Sequence, residues 1–527
     1  MNKNKLTIID STLRDGAQAE GISFSVRDKI AILSELDELG IDIIEAGNPS
    51  SNPKDAEFFR EAKKLRLKHS VISAFGATRR KGIRVEDDAG IKSLLSAETD
   101  VVTVFGKSWD FHVTEIIKAS KEENLEMIVD TIKYLKSFGK TVIFDAEHFF
   151  DGYKRNREYA LKTLLVAQQA GADSVCLCDT NGGCFPDEIE KGVADALKTV
   201  DVEVGIHAHD DGGMAVANSC CAVLNGARQV QGTLIGFGER CGNANLSAII
   251  ASLQLKRGFE CITPNAMKNL TTACRTVAEI ANVRLNKGMP FVGKSAFAHK
   301  AGMHIDGVNK SSESFEHVSP LEVGNSRRFL MSEVAGRSTI LDKIRKIDST
   351  IEKESPITAK VIERIKDMEF LGYQFEGADA SFELLVRKTL GTYQPHFVLE
   401  KFKTIGEQAK EEDFSPATAL VKVSVLGRSE ICGAEGNGPV NALDVALRKA
   451  IERFYPTIKN LSLTDYKVRI LDSRETSSAM TRVLIESGDG SDVWTTVGVS
   501  RDIIEASLIA LIDSIEYKLI KDGVPTK

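Results

Sequence analysis

The chain has 527 residues, with 68 Lys and Arg against 75 Asp and Glu, for a formal net charge of −7. At roughly 100–200 residues per domain this length predicts about three domains, and 42% apolar with 27% charged residues is an ordinary globular balance. The basic runs, Arg79-Arg80-Lys81 and Arg327-Arg328, are too short to form a nucleic-acid footprint, and no stretch approaches the roughly 18 apolar residues needed to cross a bilayer.

No apolar signal segment precedes the first strand-like run, so a soluble, cytoplasmic protein is expected. Nine cysteines make an odd number, and Cys176, Cys178, Cys220, Cys221 and Cys241 sit in apolar or Gly-rich runs. They are expected to be reduced. Cys176-x-Cys178 lacks the spacing of a zinc ribbon or a redox motif.

From the N-terminus, short Val- and Ile-rich runs alternate with longer stretches of helical period, the pattern of a parallel sheet with crossover helices. The strand candidates are LTIIDSTLRD (6–15), IDIIEAG (41–47), HSVISAF (69–75), DVVTVFG (100–106), TVIFDAEHF (141–149), DSVCLCDT (173–180), VEVGIHAHD (202–210) and QVQGTLIGFG (229–238). Gly40, Gly171 and Gly226 each follow a helix-like run and supply its left-handed terminal residue. Eight βα units in about 250 residues predict a (β/α)8 TIM barrel, with a doubly wound open sheet as the weaker option.

Such a barrel demands that chemistry gather at the C-terminal ends of its strands. Polar residues do interrupt the apolar runs there: Arg14 and Asp15, then Asp145, Glu147 and His148, then Asp179 and Thr180, then His207 and His209, with Asn243 after the eighth strand. One such residue reads best as a cap or turn; five strand ends together read as a site.

His207-Ala208-His209 puts two imidazoles on one face of a strand, aimed at the barrel axis, as two ligands of one divalent ion would be. Asp15 can add a carboxylate oxygen and Asn243 an amide oxygen. A mixed N/O set with open positions fits a catalytic Mg, Mn or Zn ion without choosing among them.

Residues 288–295, GMPFVGKS, match G-x-x-x-x-G-K-[ST] letter for letter. The match follows a helix-like stretch rather than a strand and contains Pro290, so it reads as a chance coincidence in a loop.

The barrel is assigned to 1–285 and a connector to 286–410, with a Gly/His patch (AHKAGMHIDG) and helical periodicity in STILDKIRKIDSTIEKE and ITAKVIERIKDMEFLG. From 411 to 527, strand runs (ALVKVSVLG, SEICGAEG) lead to a helix. A second set (KVRILDS, TRVLIES, VWTTVGVS) leads to another. This internal two-fold repeat predicts an α+β sensing or dimerisation module.

STLRDG (11–16), HAHDDGG (207–213), GFGERCGNANL (236–246) and FAHKAGMHIDG (297–307) together resemble the metal-dependent acyl-CoA Claisen-condensing synthases, the isopropylmalate, homocitrate and citramalate synthases. GNGPVNALDVALRKAI in the tail is similar to their C-terminal regulatory domain, so the likeness spans nearly the whole chain. DGAQAEGISFSVRDKIAI, VVTVFGKSWDFHV and GNPSSNPKD look most like the longer members that take pyruvate as acceptor in isoleucine biosynthesis.

The resemblance implies acetyl-CoA and pyruvate as substrates, isoleucine as effector, and a homodimer. It places Thr180 on the keto-acid carboxylate and Arg14 on the developing enolate or alkoxide charge. Glu147 and His299 both match candidates for the base that deprotonates the acetyl methyl group, and the sequence leaves the two open. Two positions depart from the family pattern: Ala17 where relatives read DGEQ, and Phe315 in a segment where relatives carry Tyr. A relative with a larger 2-oxo acid is the main competing reading. A metal-dependent hydrolase is the next, although such enzymes place H-x-H on the first strand, not the seventh.

Overall fold

The computed structural model describes residues 4–49, 52–300, 302–330, 344–345, 347, 351, 355–375, 377–406, 417–471, 479–489 and 492–526. The predicted helical run 338–354 lies almost wholly outside them.

Eight parallel strands close into a barrel: β1 (Thr7–Asp10), β2 (Ile43–Gly47), β3 (Val71–Ala77), β4 (Val101–Lys107), β5 (Thr141–Glu147), β6 (Ser174–Asp179), β7 (Glu203–Ala208) and β8 (Gln229–Gly232). Closure is made by β1 on β8, with Thr7 opposite Gln229 and Asp10 opposite Gly232. Gly40, Gly171 and Gly226 all adopt left-handed backbone, as the joints require.

The first and last strands fall furthest short of their predicted lengths, each for a local reason. After β1, the Asp10 carboxylate accepts from the Thr12 N–H (2.8 Å) and hydroxyl (3.0 Å), a side-chain turn that takes residues 12–15 out of the ladder. After β8, Thr233 pairs with Ala244 and Asn245, so 233–238 folds back over the mouth as a loop.

Strand side chains alternate with period two, so the barrel interior reads in layers. Ile9, Ile43, Val101 and Ile143 pack as an apolar floor. Two positions further along the same strands the layer turns polar, with Ser11, Glu45, Thr103 and Asp145 all buried. Two more bring Gly47, Phe105 and Glu147 to the mouth. The outer core, including Leu33, Ile44, Phe144, Leu164, Val175, Ile206 and Val230, lies between strands and helices.

The chain divides into two compact units: residues 1–297 with 317–327, and residues 298–316 with 328–527. In the second, β9 (Ala298–His299) pairs in parallel with β10 (Arg328–Phe329). Helices Pro356–Phe370 and Asp379–Leu390 follow. Next come β11 (Phe397–Gly406), β12 (Ala417–Val425) and β13 (Arg428–Gly436) with helix Pro439–Glu452, then β14 (Ser462–Ile470), β15 (Thr481–Gly488) and β16 (Val493–Ser500) with helix Ile503–Lys521. Each set of strands is an antiparallel three-stranded sheet, so the tail is a βββα unit that occurs twice. β11 falls inside the stretch read from sequence as connector. Its exposed face mixes Val398 and Ile405 with Glu400, Lys401 and Lys403, and a register irregularity between Leu399 and Lys401 breaks the alternation that would have announced it.

The P-loop match forms no phosphate cradle. Its amides are used within the loop: Gly293 donates to the Met289 carbonyl, Val292 to Pro290 and Ser295 to Lys287, and no strand leads in. Among the described residues no helix is long and apolar enough to cross a membrane.

Candidate active site

The barrel's C-terminal mouth holds a cavity of about 580 Å³ lined by Arg14, Asp15, Glu147, Thr180, His207 and His209 among others. Six sequence-predicted site residues from β1, β5, β6 and β7 therefore converge on one space.

At its centre, Asp15 Oδ2 lies 3.5 Å from His207 Nε2 and 3.7 Å from His209 Nε2, and the two Nε2 atoms are 3.4 Å apart. All three residues are buried. The Gln231 amide fixes the ring of His207, its Oε1 standing 3.1 Å from Nδ1 while its Nε2 donates to Asp145 Oδ1 at 2.9 Å. With the proton on Nδ1, the Nε2 lone pair of His207 faces inward toward its neighbours. Two imidazole lone pairs and a carboxylate in van der Waals range demand a cation or a shared proton.

The protonation pattern agrees. Burial, and then the neighbouring His207 charge, push His209 down to about 4. Burial also opposes the charged form of His207, but the Asp15 carboxylate outweighs it and holds the ring above its ordinary value. Asp15 is held below the carboxylate range: burial would raise it, and Arg14 with the two imidazoles overcomes that.

Buried polar atoms without partners mark the same place: Asp15 Oδ1, His209 Nδ1, and both amide atoms of Asn243, whose backbone bridges to His209. Leaving such groups unpaired costs roughly 1–3 kcal/mol each, so a set of them around converging ligands fits a bound ion. Asp15, His207 and His209 are the residues whose ligand atoms converge to hold it, and the unpartnered Asn243 amide stands on the segment bridged to His209.

Arg14 is fixed three ways. Its Nε donates to Glu45 Oε1 at 2.6 Å, its Nη1 lies 3.1 Å from Asp15 Oδ2, and its guanidinium stacks 3.9 Å from the Phe75 ring centroid. Burial disfavours its charge, but Glu45 and Asp15 raise its pKa further still, so it stays a cation. Glu147 pairs with Lys107 at the ends of β5 and β4. The Thr180 hydroxyl accepts the His148 N–H at 2.9 Å.

His299 belongs to the second unit, where its Nε2 lies 3.0 Å from Glu316 Oε1, both side chains buried. Phe315 stacks on His304 with centroids 4.2 Å apart, and Ala17 lines the mouth cavity.

Glu45, Gln231 and Phe75 escape a reading of strand ends, because each lies within a run read as plain strand. The available signal was parity: Glu45 and Gln231 are polar at inward-facing positions of otherwise apolar strands. A second cluster, Asp145, Cys176 and Cys178, has its ligand atoms within 4.8 Å of one another. Burial pushes the Asp145 carboxyl up to about 7 and raises the Cys176 thiol, and at Cys178 the opposing contact with Cys176 is outweighed by burial together with the neighbouring acidic groups, so both thiols hold their protons and pack as neutral interior. All nine cysteines are free.

A closed (β/α)8 barrel with carboxylate, guanidinium and imidazole groups gathered at the C-terminal mouth defines the chain as a TIM-barrel enzyme. Residues 5–279 match the HMGL-like family, 291–370 the homocitrate synthase post-HMGL domain-like family, and 376–519 the LeuA allosteric (dimerisation) domain. An (R)-citramalate synthase from Aquifex aeolicus is 51% identical, covering 98% of this chain and 98% of the relative, and one from Geobacter sulfurreducens is 51% identical over 98% and 97%. A probable 2-isopropylmalate synthase from Methanopyrus kandleri is 32% identical over 97% of each. The chain belongs to the citramalate synthase family of acyltransferases.

Proposed function

We propose that the chain condenses acetyl-CoA with pyruvate and water to give citramalate and free coenzyme A, using a divalent ion held by Asp15, His207, His209 and Asn243. The observation behind this reading is the convergence of three ligand atoms, ringed by orphaned polar groups, at the mouth of a barrel whose full-length relatives at 51% identity are citramalate synthases. When bound, the ion supplies Lewis acidity toward the oxo-acid carbonyl.

This chain's own residues do the rest. Glu147, lining the same cavity as Arg14 and Thr180, takes a proton from the acetyl methyl group. The resulting carbon nucleophile adds to the C2 ketone of pyruvate. Arg14, locked as a cation by Glu45, faces the negative charge that grows on oxygen, where a fixed donor is most effective. Thr180 donates to the pyruvate carboxylate. Water then cleaves the thioester, the thiol leaves, and the condensation becomes effectively irreversible.

The experiment is to incubate the protein and divalent metal with acetyl-CoA and pyruvate, 2-oxoisovalerate or 2-oxoglutarate, following free thiol. Release with pyruvate is expected. Release with 2-oxoisovalerate alone would favour the isopropylmalate-type alternative, and none with any acceptor would exclude condensation. Glu147→Gln is expected to abolish exchange of the acetyl methyl protons with deuterated solvent, whereas His299→Asn retains it; the reverse result would move the base to His299.

We further propose that the tail binds isoleucine as feedback effector and joins two copies as a homodimer, a reading supported by the match of 376–519 to an allosteric dimerisation domain.

A further inference from the structure

Thr180 is gripped at both of its oxygens by residues in left-handed backbone. Its hydroxyl accepts the N–H of His148, which sits at φ 55° and ψ 35°. Its carbonyl accepts Arg240 Nη2 at 2.7 Å, and Arg240 sits at φ 56°. The same guanidinium forks onto Asp211, with Nε to Oδ1 at 2.9 Å and Nη2 to Oδ2 at 3.0 Å.

Arg240 thus ties the loop after β8 to the loops after β6 and β7. Those two loops already touch backbone to backbone at Gly182, where an added Cβ would stand 2.5 Å from Asp211 Oδ2, and Gly212 N–H donates to the Gly182 carbonyl at 2.8 Å.

Left-handed backbone is unfavourable for His and Arg, and it persists only where the surroundings demand it. An ion pair whose side chains are 39% and 26% exposed returns little stability. Stability therefore does not account for Arg240, and its contact with Thr180 does. The chemistry of the hydroxyl explains the second grip. A hydroxyl has one hydrogen and two acceptor sites, and the His148 N–H occupies an acceptor site, leaving the hydrogen to point toward the cavity that Thr180 lines. The His148 ring takes no part, since its Nδ1 engages Asp151 at 2.9 Å.

We propose that His148 and Arg240 set Thr180 as a one-way hydrogen-bond donor for the carboxylate of the 2-oxo acid, with Arg240 a positioning residue that never touches substrate. This rests on the condensation reading above. It predicts a split between substrates, because only the oxo acid meets Thr180.

The test is steady-state kinetics of the metal-loaded enzyme with both substrates varied, for Arg240→Gly, Thr180→Val and the double variant. Glycine suits left-handed backbone, so Arg240→Gly keeps the wild-type melting temperature or raises it. Its KM for pyruvate is expected to rise on the order of tenfold, as for a lost hydrogen bond to a charged group, with KM for acetyl-CoA unchanged. Thr180→Val gives a rise of at least the same size, and the double variant adds little to it, because both act through one hydroxyl. Arg240→Lys, keeping one donor without the fork, falls between.

An unchanged pyruvate KM in Arg240→Gly overturns the proposal, as does an equal rise for both substrates or full additivity with Thr180→Val. Failure of the wild-type enzyme to release thiol with any 2-oxo acid would instead sink the condensation reading, and the carboxylate role with it.

Discussion

The side-chain amide of Gln231 lies between the His207 imidazole and the Asp145 carboxyl group, and the sense of its two hydrogen bonds fixes which ring nitrogen of His207 faces the candidate ion site. Such supporting contacts typically contribute 10–100-fold in metal affinity. Gln231→Leu is therefore expected to weaken Mn²⁺ binding to the stripped protein by roughly that factor, measured by calorimetric titration; unchanged affinity would remove Gln231 from the account. The convergence of Asp15, His207 and His209 was legible because His-x-His and Asp15 stand at strand ends, where polar residues stand out. Gln231 and Glu45 were not, because each is flanked by apolar strand residues and only the closed barrel shows that both face inward. The sequence leaves Glu147 and His299 open as the base; what it does not show is that Glu147 lines the cavity of Arg14 and Thr180, or that His299 pairs with Glu316.

Elements were read correctly where periodicity was strong and missed where an edge strand blurred it. All eight barrel strands and both halves of the tail repeat follow from apolar runs, while β11, half-exposed and bulged, does not. At its start, His396 lies buried against Glu516 of the helix Ile503–Lys521, with Nδ1 to Oε2 at 2.9 Å, and its Nε2 lies 2.9 Å from the Val524 carbonyl. Burial would lower this imidazole, but Glu516 and the carbonyl favour its charged form and raise it above its ordinary value. A raised folded-state pKa means that the folded form binds the proton more tightly. The contribution is therefore complete below about pH 6.5 and is lost as pH rises through the elevated value. In a Trp109→Phe background, Trp494 alone reports on the tail. Its melting midpoint should fall as pH rises from about 6 to 9, and His396→Leu should flatten that dependence. An equally steep dependence in the variant would locate the titrating group elsewhere.

At the scale of the whole molecule, the length of 527 residues predicts about three domains, while contacts divide the chain into two compact units, with 298–316 grouped with the tail and 317–327 with the barrel. Chain segments that cross between units cannot be assigned from composition, because each short stretch is equally polar whichever core it joins. An effector in the tail should act without competing for the mouth cavity. Isoleucine is expected to raise the Trp494 melting midpoint, by linkage to the form that binds it, and to slow thiol release at saturating pyruvate. Inhibition that disappears at high pyruvate, with no shift in that midpoint, would place isoleucine in the barrel instead.

The most direct test of the ion-dependent condensation is thiol release from acetyl-CoA and pyruvate by metal-stripped protein, measured before and after divalent metal is restored, for wild type and His207→Ala. Wild type should be silent when stripped and recover with metal, while His207→Ala, deprived of one of three converging ligands, should stay silent in both conditions. Full activity in His207→Ala, or in stripped wild type, would contradict the assignment of Asp15, His207 and His209 as the ion site on which the reaction depends.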